Sequence, residues 1–267
     1  MTATGAAQRV TAGDRWIDRA AAPVSAGSAA VFRIAFGAIA LLGTLRYVAN
    51  GWIDELLLDP PLHFTYPGLG WVRPWPGGWM YLHFAVMGLA ALGIALGWRY
   101  RWSVAAYAIL FTWVELTDRT LYLNHYYWVS LTAGLMVFLP LHRMWSLDAR
   151  AGRAGGDPTS RAGGAQMVPA SVVWLLRTQL AMVYLFAGMA KVGVDWLVHA
   201  QPLATWLPAR ASLPVIGPLL TLPGVALAMS WAGALFDLTI VGWLLWRRSR
   251  PCAYAAVVAF HLLTWLL

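Results

Sequence analysis

Lys191 is the only lysine in 267 residues; the other 18 of the 19 Lys+Arg residues are arginine. Arginine keeps its charge at any working pH, whereas a desolvated lysine can give up its proton and then act as a base. Lys191 lies in Tyr184-Leu-Phe-Ala-Gly-Met-Ala-Lys-Val-Gly-Val-Asp-Trp196, a stretch that begins apolar and ends polar. A titratable amine at such a border suits proton abstraction. The plainer reading is a snorkelling lysine in an arginine-biased chain. Asp195 follows four residues later, so a continuous helix would pair the two and keep the amine protonated. A break at Gly193 would instead leave Lys191 in an apolar pocket. The residues alone leave both arrangements open.

Four further groups carry polar chemistry. In Glu115-Leu-Thr-Asp-Arg-Thr-Leu-Tyr-Leu-Asn-His125, Asp118 and Arg119 either neutralise each other or serve a site. Asn124, His125 and Tyr126 open a following apolar run, where a histidine is either a hydrogen-bonded structural residue or a functional one. Asp237 falls inside an apolar run and His261 follows Phe260 in the next. Ionisable groups there are functional candidates, with a helix–helix hydrogen bond as the alternative. His199 and Arg210 follow Lys191 and Trp196. The Pro- and aromatic-rich loop Gly51–Gly78 suits an interfacial or re-entrant lid, or an apolar plug.

Several chemistries find no support. Cys252 is the single cysteine, so neither an intrachain disulfide nor a thiolate metal cluster can form. The six histidines show no ligand spacing such as His-Glu-x-x-His, and no metal is expected. There is no phosphate-cradling Gly-rich loop and no Gly-x-Ser-x-Gly elbow.

The elements that must position these residues follow from composition: 60% hydrophobic, 11% charged and 17 Trp. A hydrocarbon core of roughly 30 Å takes about 20 apolar residues to cross. Spans are expected near Ala29–Val48, Trp79–Gly97, Ser103–Thr117, Tyr126–Leu141, Val172–Ala190 and Val225–Trp246. A seventh starts near Cys252 and is still running at Leu267. The expected fold is an all-α integral membrane protein, a polytopic helical bundle of about seven spans. Twelve basic residues (Arg9, Arg15, Arg19, Arg99, Arg101, Arg143, Arg150, Arg153, Arg161, Arg247, Arg248, Arg250) fall on one side of these spans. Four (Arg73, Arg119, Lys191, Arg210) fall on the other, while Arg33, Arg46 and Arg177 lie within spans. The positive-inside rule then places the N-terminus in the cytoplasm and Lys191 outside, with aromatic, Pro-rich loops on the extracytoplasmic face. The net charge of +8 reflects cytoplasmic loops beside anionic lipid, and no nucleic-acid partner is expected. Residues 1–28 hold no apolar signal segment and read as a cytoplasmic tail. Gly152–Ala165 reads as a flexible cytoplasmic linker. Residues 29–267 read as one transmembrane domain.

In its ordered motifs from about residue 57 onward the chain resembles the vitamin K-dependent gamma-carboxylase family, through its horizontally transferred transmembrane (HTTM) domain. The motifs are Leu57-Leu-Asp-Pro-Pro-Leu-His-Phe-Thr-Tyr66, Trp79-Met-Tyr-Leu82 with Leu92-Gly-Ile-Ala-Leu-Gly97, and Asp118-Arg-Thr120 leading to Asn124-His125. Val183-Tyr-Leu-Phe-Ala-Gly188 with Lys191 and Asp195-Trp196, then Asp237-Leu238, then Phe260-His261, complete the series. The resemblance implies that Lys191 is the base that deprotonates reduced vitamin K. The anion reacts with O2 to a strongly basic oxygenated species and finally the epoxide. That species removes a γ-proton from a substrate glutamate, and CO2 adds to the carbanion, which His125 stabilises. Asn124, Asp118, Arg119, Tyr184, Asp195, Trp196, Asp237 and His261 are the implied cofactor- and substrate-binding candidates.

The chain departs from the family in three respects. Animal members carry two adjacent lysines where this chain has Ala190-Lys191, with the second retained. They add a large lumenal region that binds their protein substrates. They also continue where this chain stops at Leu267, so a C-terminal truncation is expected. The implied function is a gamma-glutamyl carboxylase and epoxidase that uses a quinol (menaquinol in a bacterium), O2 and CO2 on a Glu-containing secreted peptide. Its place would be the cell membrane, a bacterial inner membrane, with the active site on the extracytoplasmic side. The alternative is a non-catalytic HTTM protein that binds quinone or lipid or scaffolds a partner. A transporter, resting on Arg33, Arg177 and Asp237 without an inverted hydropathy repeat, ranks last.

Overall fold

The computed structural model describes residues 12–155 and 166–267. The first eleven residues of the expected tail, and residues 156–165 of the expected linker with Arg161, lie outside the described residues. The chain is mostly helical. Helix α1 (Ala12–Ala21) and strand β1 (Pro23–Ser25) precede α2 (Gly27–Ala49), α3 (Gly78–Leu96), α4 (Tyr100–Thr117) and α5 (Asn124–Phe138). The short α6 (Leu147–Arg150), strand β2 (Met167–Pro169) and α7 (Ala170–Ala190) follow. Then come α8 (Val194–Leu197), α9 (Leu203–Trp206), α10 (Gly217–Leu220), α11 (Val225–Leu245) and α12 (Arg250–Leu266).

Each expected span is therefore met by a helix at its place. Among the described residues, α2, α3, α7 and α11 are long and apolar enough to cross a membrane. The remaining three, α4, α5 and α12, have 18, 15 and 17 residues. Large apolar side chains such as Ile39, Leu89, Ile109 and Phe138 stand exposed on helices that are also apolar on their inner faces. A helix hydrophobic all round needs lipid or protein on every side, which fits an all-α membrane fold.

Two compact units divide the chain, Met1–Leu176 and Arg177–Leu267, with the border inside α7 and so inside the single domain expected over 29–267. In the first unit α2 packs on α3, α3 on α4 and α4 on α5. Their core holds Phe36, Phe84, Met87, Ile94, Tyr107 and Met136. At Gly37 the backbones of α2 and α3 approach so closely that an added Cβ would run into the Ala95 amide. Small residues allow that approach, and it is how helices gain contact where lipid removes the hydrophobic drive. The two strands pair antiparallel, Val24 opposite Val168, and tie the start of α2 to the start of α7.

Arg33 is fully buried in this unit. Its guanidinium donates to the carbonyls of Ile94 (2.7 Å), Ala95 (2.5 Å), Leu141 (3.2 Å) and Trp145 (2.6 Å). Ile94 and Ala95 lie in the last turn of α3, and Leu141 and Trp145 lie in the segment after α5. Gly97, at φ 62°, ends α3 directly against it: an added Cβ would lie 2.9 Å from Arg33 Nη1. Asp148 caps the start of α4, accepting from the Arg99 amide (3.1 Å), the Tyr100 amide (2.8 Å) and Arg153 Nε (3.0 Å). Burial alone would raise this carboxyl, but those donors hold it below the usual carboxylate range.

The loop Gly51–Gly78 is fastened down. Ile53, Leu57 and Val72 are buried, and the Trp75 ring stacks on Trp113 of α4 at 4.9 Å and 6°. Trp113 Nε1 donates to the Arg73 carbonyl at 3.1 Å, and the Arg119 amide donates to the Phe64 carbonyl at 2.9 Å.

Candidate functional site

In the second unit α7 ends at Ala190, the Lys191 amide closes a turn on the Gly188 carbonyl (3.0 Å), and Gly193 is extended before α8. The helix thus breaks before it can bring Lys191 and Asp195 onto one face. The lysine is nevertheless paired, with a different acid. Lys191 Nζ donates to Asp237 Oδ2 on α11 at 2.5 Å and to the Ala187 carbonyl at 3.3 Å, and it lies 5.1 Å from the centre of the Trp196 ring. The lysine side chain is half-buried and the Asp237 side chain is 5% exposed. Asp195 is exposed, as are His199 and Arg210.

The surrounding helices fix this pair from both sides. Gly188, one turn before Lys191, packs against α11: a Cβ there would come 2.7 Å from Leu238 Cδ2 and 3.1 Å from the Leu238 amide. Trp196 is held by two reciprocal bonds, its Nε1 donating to the Ser230 carbonyl (2.7 Å) and its own carbonyl accepting from Ser230 Oγ (2.5 Å). Trp231 Nε1 donates to the Leu197 carbonyl at 2.9 Å. Tyr184 meets His261 of α12, hydroxyl to Nε2 at 3.2 Å, and packs edge-on against Phe236. Phe236 stacks on Phe260 at 4.1 Å. Lys191, Asp237 and Trp196 thus form one cluster in this unit. Tyr184 and His261 form a second contact, on the same α7 and on α12.

The first unit holds Asp118, Arg119, Asn124 and His125. Asp118 and Arg119 do not neutralise each other. Asp118 Oδ2 faces His63 Nδ1 at 3.4 Å, and Oδ1 accepts from the Thr120 amide and hydroxyl, each at 2.8 Å. His63 reaches Asp118 because its other ring nitrogen rests on the Leu57 carbonyl, 3.1 Å away. Burial would raise the Asp118 carboxyl, but the bonds from Thr120 and His63 hold it below the usual range. Asn124 opens α5 and is exposed. His125 stands beside it with its ring 4.6 Å from Tyr126, on the wall of an open pocket of about 420 Å³ lined by α2, α3, α4 and α5.

Residues 21–267 match the HTTM domain family. The chain belongs to that family. The HTTM domain is associated with the vitamin K-dependent carboxylases. No solved structure matches the chain. Within this HTTM fold the contacts also show residues that motif reading passed over. His63 sits in the quoted loop motif, yet nothing local marks it as the partner of Asp118. Ser230 has no signal beyond its place on an apolar helix. Glu115, bonded by the Ser130 hydroxyl, was visible as an acid at membrane depth. Arg33 proves to be wholly engaged by main-chain carbonyls.

Proposed function

We propose that this HTTM protein is a membrane-embedded, quinol-dependent gamma-glutamyl carboxylase-type enzyme in which Lys191 accepts the proton of the quinol hydroxyl. The observation that carries the reading is the pair of the only lysine with a buried carboxylate, Nζ to Asp237 Oδ2 at 2.5 Å. Two separated charges are costly in a medium of low polarity. A proton handed from the ammonium to Asp237 leaves a neutral amine beside a neutral acid, and that amine can take a proton from a bound hydroxyl. The Ala187 carbonyl and the Trp196 ring hold Nζ in place for this step. Tyr184, Phe236 and Phe260 form an aromatic cluster in the same unit, packed edge-on and stacked on one another. Reduced vitamin K or menaquinol would supply the oxidisable ring that couples O2 to carboxylation, as the family resemblance implies.

His125 is assigned to the carbanion side of the reaction. Asn124, Asp118, Arg119, Tyr184, Asp195, Trp196 and His261 are its supporting candidates. The arginine distribution supports an extracytoplasmic position for Lys191 in a cell membrane, where a secreted Glu-containing peptide would be the substrate. The non-catalytic reading, a protein that binds quinone or lipid or scaffolds a partner, draws on the same pair, because a lysine with a carboxylate partner is also a complete structural ion pair.

The test uses the protein in lipid nanodiscs with menaquinol, O2, labelled CO2 and a Glu-containing peptide. The expected result is quinol-dependent O2 uptake together with label in the peptide. His125→Ala is expected to lower the label more than the uptake. Absence of both activities in the parent overturns the enzyme reading in favour of the binding or scaffold one.

A further inference from the structure

The connections from α3 to α4 and from α5 to α6 are zipped together at one end of the first unit. The Asp148 amide donates to the Gly97 carbonyl at 3.0 Å, and the Asp148 carboxylate accepts from the Arg99 and Tyr100 amides. Residues 97–101 and 139–153 hold five arginines against one carboxylate, that of Asp148. Arg153 takes this carboxylate at 3.0 Å. Among the described residues, no carboxylate lies within ion-pairing distance of Arg99, Arg101, Arg143 or Arg150. Arg101 Nη1 donates to the Val137 carbonyl (3.3 Å) and Arg143 Nη1 to the Met167 carbonyl (2.9 Å), which anchors two guanidiniums without neutralising them. Both bear on His142, which is buried and stacks on Tyr100 at 4.9 Å. Burial holds this imidazole below its ordinary range; Asp148 opposes the effect, and Arg101, Arg33 and Arg143 reinforce it.

The backbone of the same end is held where L side chains are uncommon. Arg99 has φ 45° and Trp145 φ 51°. Asp148 fixes the first through the Arg99 amide, and Arg33 fixes the second through the Trp145 carbonyl at 2.6 Å. Both side chains are exposed, as are those of Trp98, Arg101 and Trp102 beside them in the chain. Buried groups thus hold a surface of arginine and tryptophan in place. Tryptophan favours the headgroup level of a bilayer, and the guanidinium fork matches phosphate oxygens. We propose that this end of the first unit is a docking surface for an anionic phospholipid, with Arg101 and Arg143 taking the headgroup phosphate and Trp102 and Trp145 lying at the headgroup level. A zwitterionic headgroup brings its own cation to an already cationic surface, so a lipid of net negative charge is the better match. The positive-inside bias alone asks only for a count of basic residues, which the turn carrying Arg247 and Arg248 also supplies. Among the described residues, that turn holds no backbone of the kind seen at Arg99 and Trp145. The proposal does not rest on the chemistry proposed at Lys191.

Lipid retention is read by native mass spectrometry on the full chain released from detergent micelles. Phosphatidylglycerol and phosphatidylcholine of identical acyl chains compete as the probes. An arginine beside an anionic headgroup is worth about fivefold in affinity, so two should favour phosphatidylglycerol roughly twentyfold. Arg101→Gln and Arg143→Gln should each lower that preference about fivefold, and together remove it. Arg247→Gln combined with Arg248→Gln takes away the same charge and is expected to leave the preference unchanged. The comparison of the two lipids uses the unaltered protein, so it stands whether or not a variant folds. Equal retention of the two lipids by the parent overturns the proposal. Equal loss of preference in the two double variants also overturns it, because diffuse attraction would then account for the binding. Displacement of phosphatidylglycerol by an equal concentration of inorganic phosphate overturns the lipid as the occupant. Each of these failures leaves quinol oxidation at Lys191 to be judged on its own assay.

Discussion

Arg33 in the first unit and Lys191 in the second are both cations among apolar helices, and their partners differ in kind. Arg33 is fully buried and meets four main-chain carbonyls. Lys191 meets one carboxylate and a single carbonyl. Carbonyl oxygens of the backbone accept hydrogen bonds but cannot take a proton at working pH, and guanidinium does not release one. The Arg33 cluster is therefore a fixed staple. An amine and a carboxylate belong to the side-chain types that serve as acids and bases, which is why the proposed chemistry is put at the Lys191–Asp237 pair. The cost of placing a charge at membrane depth does not by itself mark a functional site, and the two clusters differ in whether the cation's partner is a carboxylate.

The largest effect should come from breaking the staple. Arg33→Met leaves four main-chain carbonyls without their donor, two of them in buried contacts, and a loss of about 3–5 kcal/mol is expected from denaturant unfolding in detergent. Arg33→Lys should recover little of it, because one ammonium cannot span the fork of a guanidinium. A loss under about 1 kcal/mol would remove the contrast with Lys191. Gly97→Ala probes the same staple from the side. It forces an alanine to φ 62° and sets its Cβ against Ser146 and Arg33, so about 1–3 kcal/mol should be lost. Parental stability in this variant would show that the α3 end is not held tightly against the guanidinium.

The smallest effect concerns Asp118. Its carboxyl is held below the usual range, so its contribution is fully present above the ordinary carboxylate pKa of about 3.9 and fades as pH falls through the depressed value. Between pH 5 and 3 the parent should lose stability more steeply than Asp118→Asn in thermal unfolding. Equal slopes would mean that the bonds from His63 and Thr120 add nothing to the charged form.

The helices were legible because a hydrocarbon core demands long apolar runs, and those runs dominate this composition. Lys191 was legible through its uniqueness. Its partner was not, because helical spacing points to neighbours three or four residues away, and Asp237 lies 46 residues on. The end of α7 at Ala190 removes the geometry that would have favoured Asp195. The same limit hides the His63–Asp118 contact, 55 residues apart, and made the adjacent Arg119 the obvious partner. The β1–β2 ribbon was invisible for a different reason. Its strands have three residues each and both contain proline, so no alternating pattern can register. The helix Ala12–Ala21 lies in what reads by composition as a plain tail.

Quinol-dependent O2 consumption by Lys191→Arg at neutral pH tests the assignment of the base most directly. Arginine keeps the charge and can keep the contact with Asp237, but it has no proton that can usefully be exchanged. Consumption should fall to background in this variant, and a small added amine should restore part of it in Lys191→Ala. Parental consumption by Lys191→Arg would contradict Lys191 as the base and leave it as an ion-pair partner of Asp237.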